Sequence, residues 1–107
     1  MTGTTYQLYA QRTSNPDLTP GDHLLNGVMG LNGEAGEVID LIKKHHYQGH
    51  PFDSDKLIDE LGDCLWYIAE CAAALGTTVD AIMEENIRKL TRRYPQGFSA
   101  ERSVNRE

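Results

Sequence analysis

Long apolar runs, a surplus of positive charge and a network of cysteines are all absent from this 107-residue sequence. No stretch approaches the ~20 apolar residues that a bilayer-spanning helix needs, which excludes a helical membrane protein. The opening residues, Met1 to Thr13, lack the basic start, apolar middle and small-residue cleavage site of a secretory signal, so the expected location is cytoplasmic. The formal net charge is -6, from 10 Lys and Arg against 16 Asp and Glu. Duplex nucleic acid is held by many cations on its phosphates, so this balance argues against a nucleic-acid partner. It leaves nucleotides open, because clustered carboxylates attract divalent cations and a bound cation can hold a polyphosphate. The two cysteines, Cys64 and Cys71, are seven residues apart. On one helix that is about 10 Å, too far for a disulfide. They read as small core residues in a reducing compartment.

Alternating strand patterns, internal repeats and low-complexity segments are missing too. What is present is 39% hydrophobic and 24% charged residues, the composition of an ordinary globular domain. Pro16 and Pro20 separate a short helical segment, Thr4 to Ser14, from the rest. From Asp22 to about Tyr47, Leu24, Leu25, Val28, Leu31, Val38, Leu41 and Ile42 recur at helical spacing until Gly49 and Pro51 stop the run. Asp53 or Ser54 caps a third helix, with Leu57, Leu61, Cys64, Leu65, Ile68, Ala72 and Leu75 on its apolar face and Gly76 at its end. Thr77 and Asp80 form a capping-box pattern for a fourth, which Pro95 and Gly97 close. Residues 99–107 have no period and are expected to be an arm or a loose tail. The expectation is an all-α fold, an antiparallel four-helix bundle in one domain, 1–107, with its core at about 22–98. A chain this short buries only part of the surface that needs burying, so self-association should complete the bundle.

The informative residues are acids. Glu34 and Glu37, then Glu60 and Asp63, form two pairs at i,i+3 spacing on consecutive helices. That spacing puts each pair on one helix face, and two such faces opposed bring four carboxylates together. Singly, each acid reads as surface charge. Together, flanking an apolar seam, they would repel one another unless cations or protons intervene. Oxygen donors without Cys or His favour Mg²⁺ or Mn²⁺ over Zn²⁺. Gly36 and Gly62 sit between the acids of each pair, where glycine weakens a helix, and are read as places of close approach by a facing helix or a ligand. Gly27, Gly30 and Gly33 suggest a bend or a tight crossing. His45, His46 and His50 have poor spacing for a metal and no cysteine near them, so they read as loop residues at a helix end.

Gly33-Glu34-Ala35-Gly36-Glu37-Val38, Glu60-Leu61-Gly62-Asp63 and Asn86-Ile87-Arg88-Lys89-Leu90-Thr91-Arg92-Arg93-Tyr94-Pro95, in that order, resemble the MazG-type all-α nucleotide pyrophosphohydrolases over about Leu24 to Phe98. The resemblance implies a four-helix fold working as a homodimer or homotetramer. It implies hydrolysis of (deoxy)nucleoside triphosphates to monophosphate and pyrophosphate, often to clear non-canonical or surplus nucleotides. It carries Glu34, Glu37, Glu60 and Asp63 over as Mg²⁺ ligands and catalytic acids, one of them positioning the attacking water. Asn86, Lys89 and Arg93 share one face of the last helix and suit a polyphosphate. Trp66, Tyr67 and Tyr6, or Tyr9, are candidate walls for the base. The competing readings are a non-catalytic helical oligomerisation module and a nucleotide-binding regulator that keeps the metal site.

Overall fold

In a computed structural model of the chain, Thr2 caps a first helix, α1 (Gly3–Ala10), which tightens into a 3-10 turn at Gln11–Thr13. The structure describes residues 1–106, and Glu107, the end of the expected C-terminal arm, lies outside them. Thr19 then caps α2 (Pro20–Gln48), with proline in the first turn, where its missing N–H costs nothing. Gly49, at φ 72°, ends it in the left-handed conformation that favours glycine. Asp53 caps α3 (Ser54–Ala74), and Gly76, also left-handed, turns the chain into α4 (Val79–Arg93). No strand forms among the described residues, as expected from the helical spacing.

Two local expectations are corrected. The cap of α4 is Thr78, whose hydroxyl accepts from the Ala81 N–H at 3.0 Å, one residue later than the Thr77 pattern suggests. Asp80 turns away from its own helix end. Its carboxylate accepts from the backbone N–H groups of Gly3 at 3.0 Å and Thr4 at 3.1 Å and from the Thr4 hydroxyl at 2.6 Å. It thereby caps α1 across the chain, and the Thr4 hydrogen bonds hold its pKa below the ordinary carboxylate value. In the tail, Ser99 caps a short helix, α5 (Ala100–Val104), anchored by the Arg102 Nε donating to the Arg93 carbonyl at 2.6 Å.

The main packing is α2 against α3, and glycine decides where they meet. A Cβ at Gly27 would lie 2.5 Å from the Cys71 Sγ, and one at Gly30 would collide with the Tyr67 ring. These are the tight crossing points. Gly33, Gly36 and Gly62 have no other atoms within 4 Å of a Cβ position, so no facing helix of this chain presses on them. The helices are antiparallel, since Gly27 meets Cys71, Gly30 meets Tyr67 and Glu34 meets Asp63. α1 lies across α3 and the start of α4, and Ala10, Ala69, Ala72 and Val79 form a small buried cluster flanked by Tyr6 and Trp66.

Much apolar surface stays uncovered in the single chain. Met29, Ile39, Ile58 and Ile87 are each 60% exposed or more. The radius of gyration is 16.8 Å, against about 13 Å for a compact chain of this length. No helix among the described residues is long and apolar enough to cross a membrane.

Candidate metal and nucleotide site

Beyond the Gly30–Tyr67 contact the hairpin carries its acids. One carboxylate oxygen each from Glu34, Glu60 and Asp63 gathers so that all three lie within 4.8 Å of one another. Glu34 and Glu60 are half-buried and Asp63 is exposed. Glu37, the fourth expected acid, is exposed and stays outside this trio, though its charge still acts on Glu34. The i,i+3 pair on α3 converges as its spacing predicts, whereas the pair on α2 contributes one member.

The electrostatics are those of an uncompensated cluster. Glu34 is pushed up from 4.5 to about 7, chiefly by a hydrogen bond shared with Glu60, then by desolvation and by the charges of Asp63, Glu60 and Glu37. Near neutral pH the cluster therefore holds a proton when nothing else neutralises it. The Glu34 Oε2 is buried and has no hydrogen-bond partner. A buried acceptor left unpaired costs free energy, which a cation bound to this carboxylate would relieve. Three carboxylates within a few ångströms, all oxygen and with no His or Cys among them, fit Mg²⁺ or Mn²⁺.

Two of the four aromatic candidates lie beside the acids. Tyr6 is close enough to Asp63 that burial first, and then that carboxylate, raise its phenol pKa. Tyr67 lies one helical turn from Asp63, its ring on Gly30. Trp66 is committed to the fold: its indole N–H donates to the Thr13 hydroxyl at 2.8 Å and the Ala10 carbonyl at 3.2 Å, and its ring meets Tyr67 edge-on at 5.0 Å. Tyr9 lies under the Arg12 guanidinium, 4.6 Å from the ring centroid.

Asn86, Lys89 and Arg93 lie along α4, which packs on α1 and the end of α3 and has no substantial contact with α2. A single chain does not join them to the acids. Arg93 lines a separate cavity of about 360 Å³ with Arg92, Arg102, Arg106 and Glu101.

One group of residues escaped the sequence reading. Glu70, 1% exposed, accepts from the Ser14 hydroxyl at 2.9 Å and pairs with His23 Nδ1 at 2.8 Å. It ties the loop after α1 and the first turns of α2 to α3. The signal was an acid set in the otherwise apolar stretch from Ile68 to Leu75, where only a paired carboxylate survives.

A family model for the MazG nucleotide pyrophosphohydrolase domain matches residues 24–98. The chain belongs to that family. The match takes in α2 from Leu24 onward, α3 and α4, and so every acid of the trio and the basic face of α4. A "Gene 37 protein" of Mycobacterium phage L5 is similar to this MazG chain, 36% identical over 73 residues, 64% of each chain. The MazG chain thus spans 64% of that relative's length, and the relative's name states no activity. No solved structure matches.

Proposed function

We propose that this chain is a Mg²⁺-dependent nucleoside triphosphate pyrophosphohydrolase that forms the monophosphate and pyrophosphate and clears non-canonical or surplus nucleotides. Mn²⁺ is an alternative ion. The observation that carries this reading is the trio Glu34, Glu60 and Asp63, with one buried oxygen unpartnered; the same crowding raises the pKa of Glu34. An acid cluster that the chain does not neutralise is costly unless a cation is part of the working molecule. A helical oligomerisation module has no use for it.

In this reading Glu34, Glu60 and Asp63 hold the ion. Glu37, one turn along α2, joins them or positions the attacking water. A bound divalent ion supplies neutralisation of phosphate charge and a lower pKa for water. Tyr6 and Tyr67 form the aromatic side of the site, where a base can stack. Trp66 supports them from behind, its N–H already spent on α1. We assign the whole chain to one domain with its core at 22–98, working in the cytoplasm as a homodimer or homotetramer. The uncovered apolar faces of α2, α3 and α4 support the assembly. A second copy is also the route by which Asn86, Lys89 and Arg93 reach a polyphosphate, since their own helix stands off α2.

The test is turnover. Incubation with Mg²⁺ and a panel of canonical and modified nucleoside triphosphates should release monophosphate and pyrophosphate. Glu60→Gln and Asp63→Asn should abolish this while the helical circular dichroism is retained. A folded wild-type chain inert on the whole panel refutes the enzyme reading.

A further inference from the structure

Positive charge is scarce in this chain and unevenly spread. Of its six arginines, four gather where the last turn of α4 meets α5. Arg92, Arg93, Arg102 and Arg106, with Glu101 and Asn105, line the cavity of about 360 Å³ there. Among the described residues none of the four is paired with a carboxylate. Arg88, on the same helix, is the contrast: it pairs with Glu85 at 2.6 Å and Glu84 at 3.7 Å.

The chain's own groups leave the charge of this cavity uncancelled. The carbonyl end of α4 favours cations at Arg92 and Arg93 but supplies only about half a negative charge. Glu101 is the single acid of the lining, so a surplus of about two and a half positive charges remains. Arg102 is held in place, its Nε donating to the Arg93 carbonyl at 2.6 Å, and the Asn105 side-chain amide donates to the Glu101 carbonyl at 3.0 Å. The first of these bonds uses one of the five N–H donors of Arg102. Four guanidinium groups around one cavity repel one another, and an anion among them relieves that repulsion.

The lining also selects the kind of anion. No aromatic or apolar side chain among the described residues faces the cavity, so it offers no wall to a base or an apolar group. Guanidinium forks match the oxygens of a phosphate in two-point contacts. A phosphate monoester brings about 1.5 to 2 negative charges at pH 7, less than the surplus, and a diphosphate brings more. We propose that the arginine-lined cavity between α4 and α5 is a second anion site, which binds a diphosphate or a longer phosphate chain free of metal. Guanidinium charge replaces Mg²⁺ here, so Mg²⁺ competes for the ligand. The site lies apart from the acid trio and does not depend on the hydrolase reading. It shares only Arg93 with the basic face of α4, and Arg102 and Arg106 lie beyond the residues 24–98 that match the MazG domain.

The experiment is calorimetric titration of the chain with inorganic pyrophosphate in EDTA, where no divalent ion serves the trio. Wild type should bind pyrophosphate, and inorganic phosphate about tenfold or more weakly. Arg92→Met/Arg106→Met leaves the Arg102 anchor of α5 in place. It should bind pyrophosphate about tenfold or more weakly than wild type, with the helical circular dichroism retained. Lys89→Met on α4 and Glu60→Gln in the trio should stay within about twofold of wild type. Unchanged affinity in the double variant overturns the assignment, as does equal affinity for phosphate and pyrophosphate. So does a loss with Lys89→Met as large as that of the double variant. Binding that appears only with Mg²⁺ and disappears in Glu60→Gln places pyrophosphate at the trio and overturns it too. The hydrolase reading stands or falls separately, on turnover.

Discussion

Asp63 and Glu70 stand two turns apart on nearly the same side of α3, yet their surroundings are opposite. Glu70 is buried and fully served by its own chain, with Ser14 and His23 on its oxygens. Asp63 is exposed and faces Glu34 and Glu60, two further acids. Where the chain supplies the partner, an acid becomes a fastener. Where the chain supplies only more acid, the partner must come from outside. Turnover is therefore expected at the second kind of site and stability at the first.

The largest stability effect should come from breaking the fastener. His23→Ala leaves the buried Glu70 with Ser14 as its remaining partner and should cost about 1–3 kcal/mol in urea unfolding. A loss below about 1 kcal/mol would place Glu70 in the same class as a surface acid. Next comes the trio, through the ion. Mg²⁺ at about one hundred times its Kd should stabilise wild type by about 2.7 kcal/mol, and Glu34→Gln should lose most of that gain. Equal gains in both would dissolve the contrast between the two sites.

The proton on the trio gives a further handle. The Glu34 pKa is about 7 in the fold against an ordinary 4.5, so between those values the folded chain binds more protons than the unfolded one. Without metal, its contribution is fully present below pH 4.5 and is lost as pH rises through about 7. The difference in Tm between wild type and Glu34→Gln should shift against wild type across that window. Adding Mg²⁺ should remove the shift, because the ion displaces the proton. The smallest effect is expected at Asp80, a second satisfied acid: Asp80→Ala should lower Tm by roughly 4–8 °C through fraying of α1, without altering the response to Mg²⁺.

The sequence was most informative where one residue type does one local job. Pro20 opens α2, Gly49 closes it, Asp53 caps α3 and Gly76 ends it, each from short-range backbone preference. The convergence of Glu60 and Asp63 was legible because i,i+3 spacing on a helix is fixed geometry. Glu37 was not separable from Glu34 by the same rule, since spacing gives a shared face but not how far that face turns toward the neighbouring helix. Asp80 looked like part of its own helix cap because Thr77 lies three residues before it. Its true partners, Gly3 and Thr4, are more than 70 residues away in sequence. The union of Ser14, His23 and Glu70 likewise depends on three elements meeting, which no local pattern encodes. Of the glycines, Gly27 and Gly30 do mark the tight crossing that their spacing suggested, whereas Gly33 does not, and Gly36 and Gly62, read as places of close approach, meet no other part of the chain.

Gly27 and Gly30 help to set the gap between the acids. The arms of the hairpin are joined at the tip by residues 49–53 and pressed together at Gly27 and Gly30, against Cys71 and Tyr67. The stretch that carries Glu34, Glu60 and Asp63 is therefore clamped at both ends. A larger residue at Gly30 would push the arms apart at one end, and the spacing of the carboxylates would change although none of them is touched.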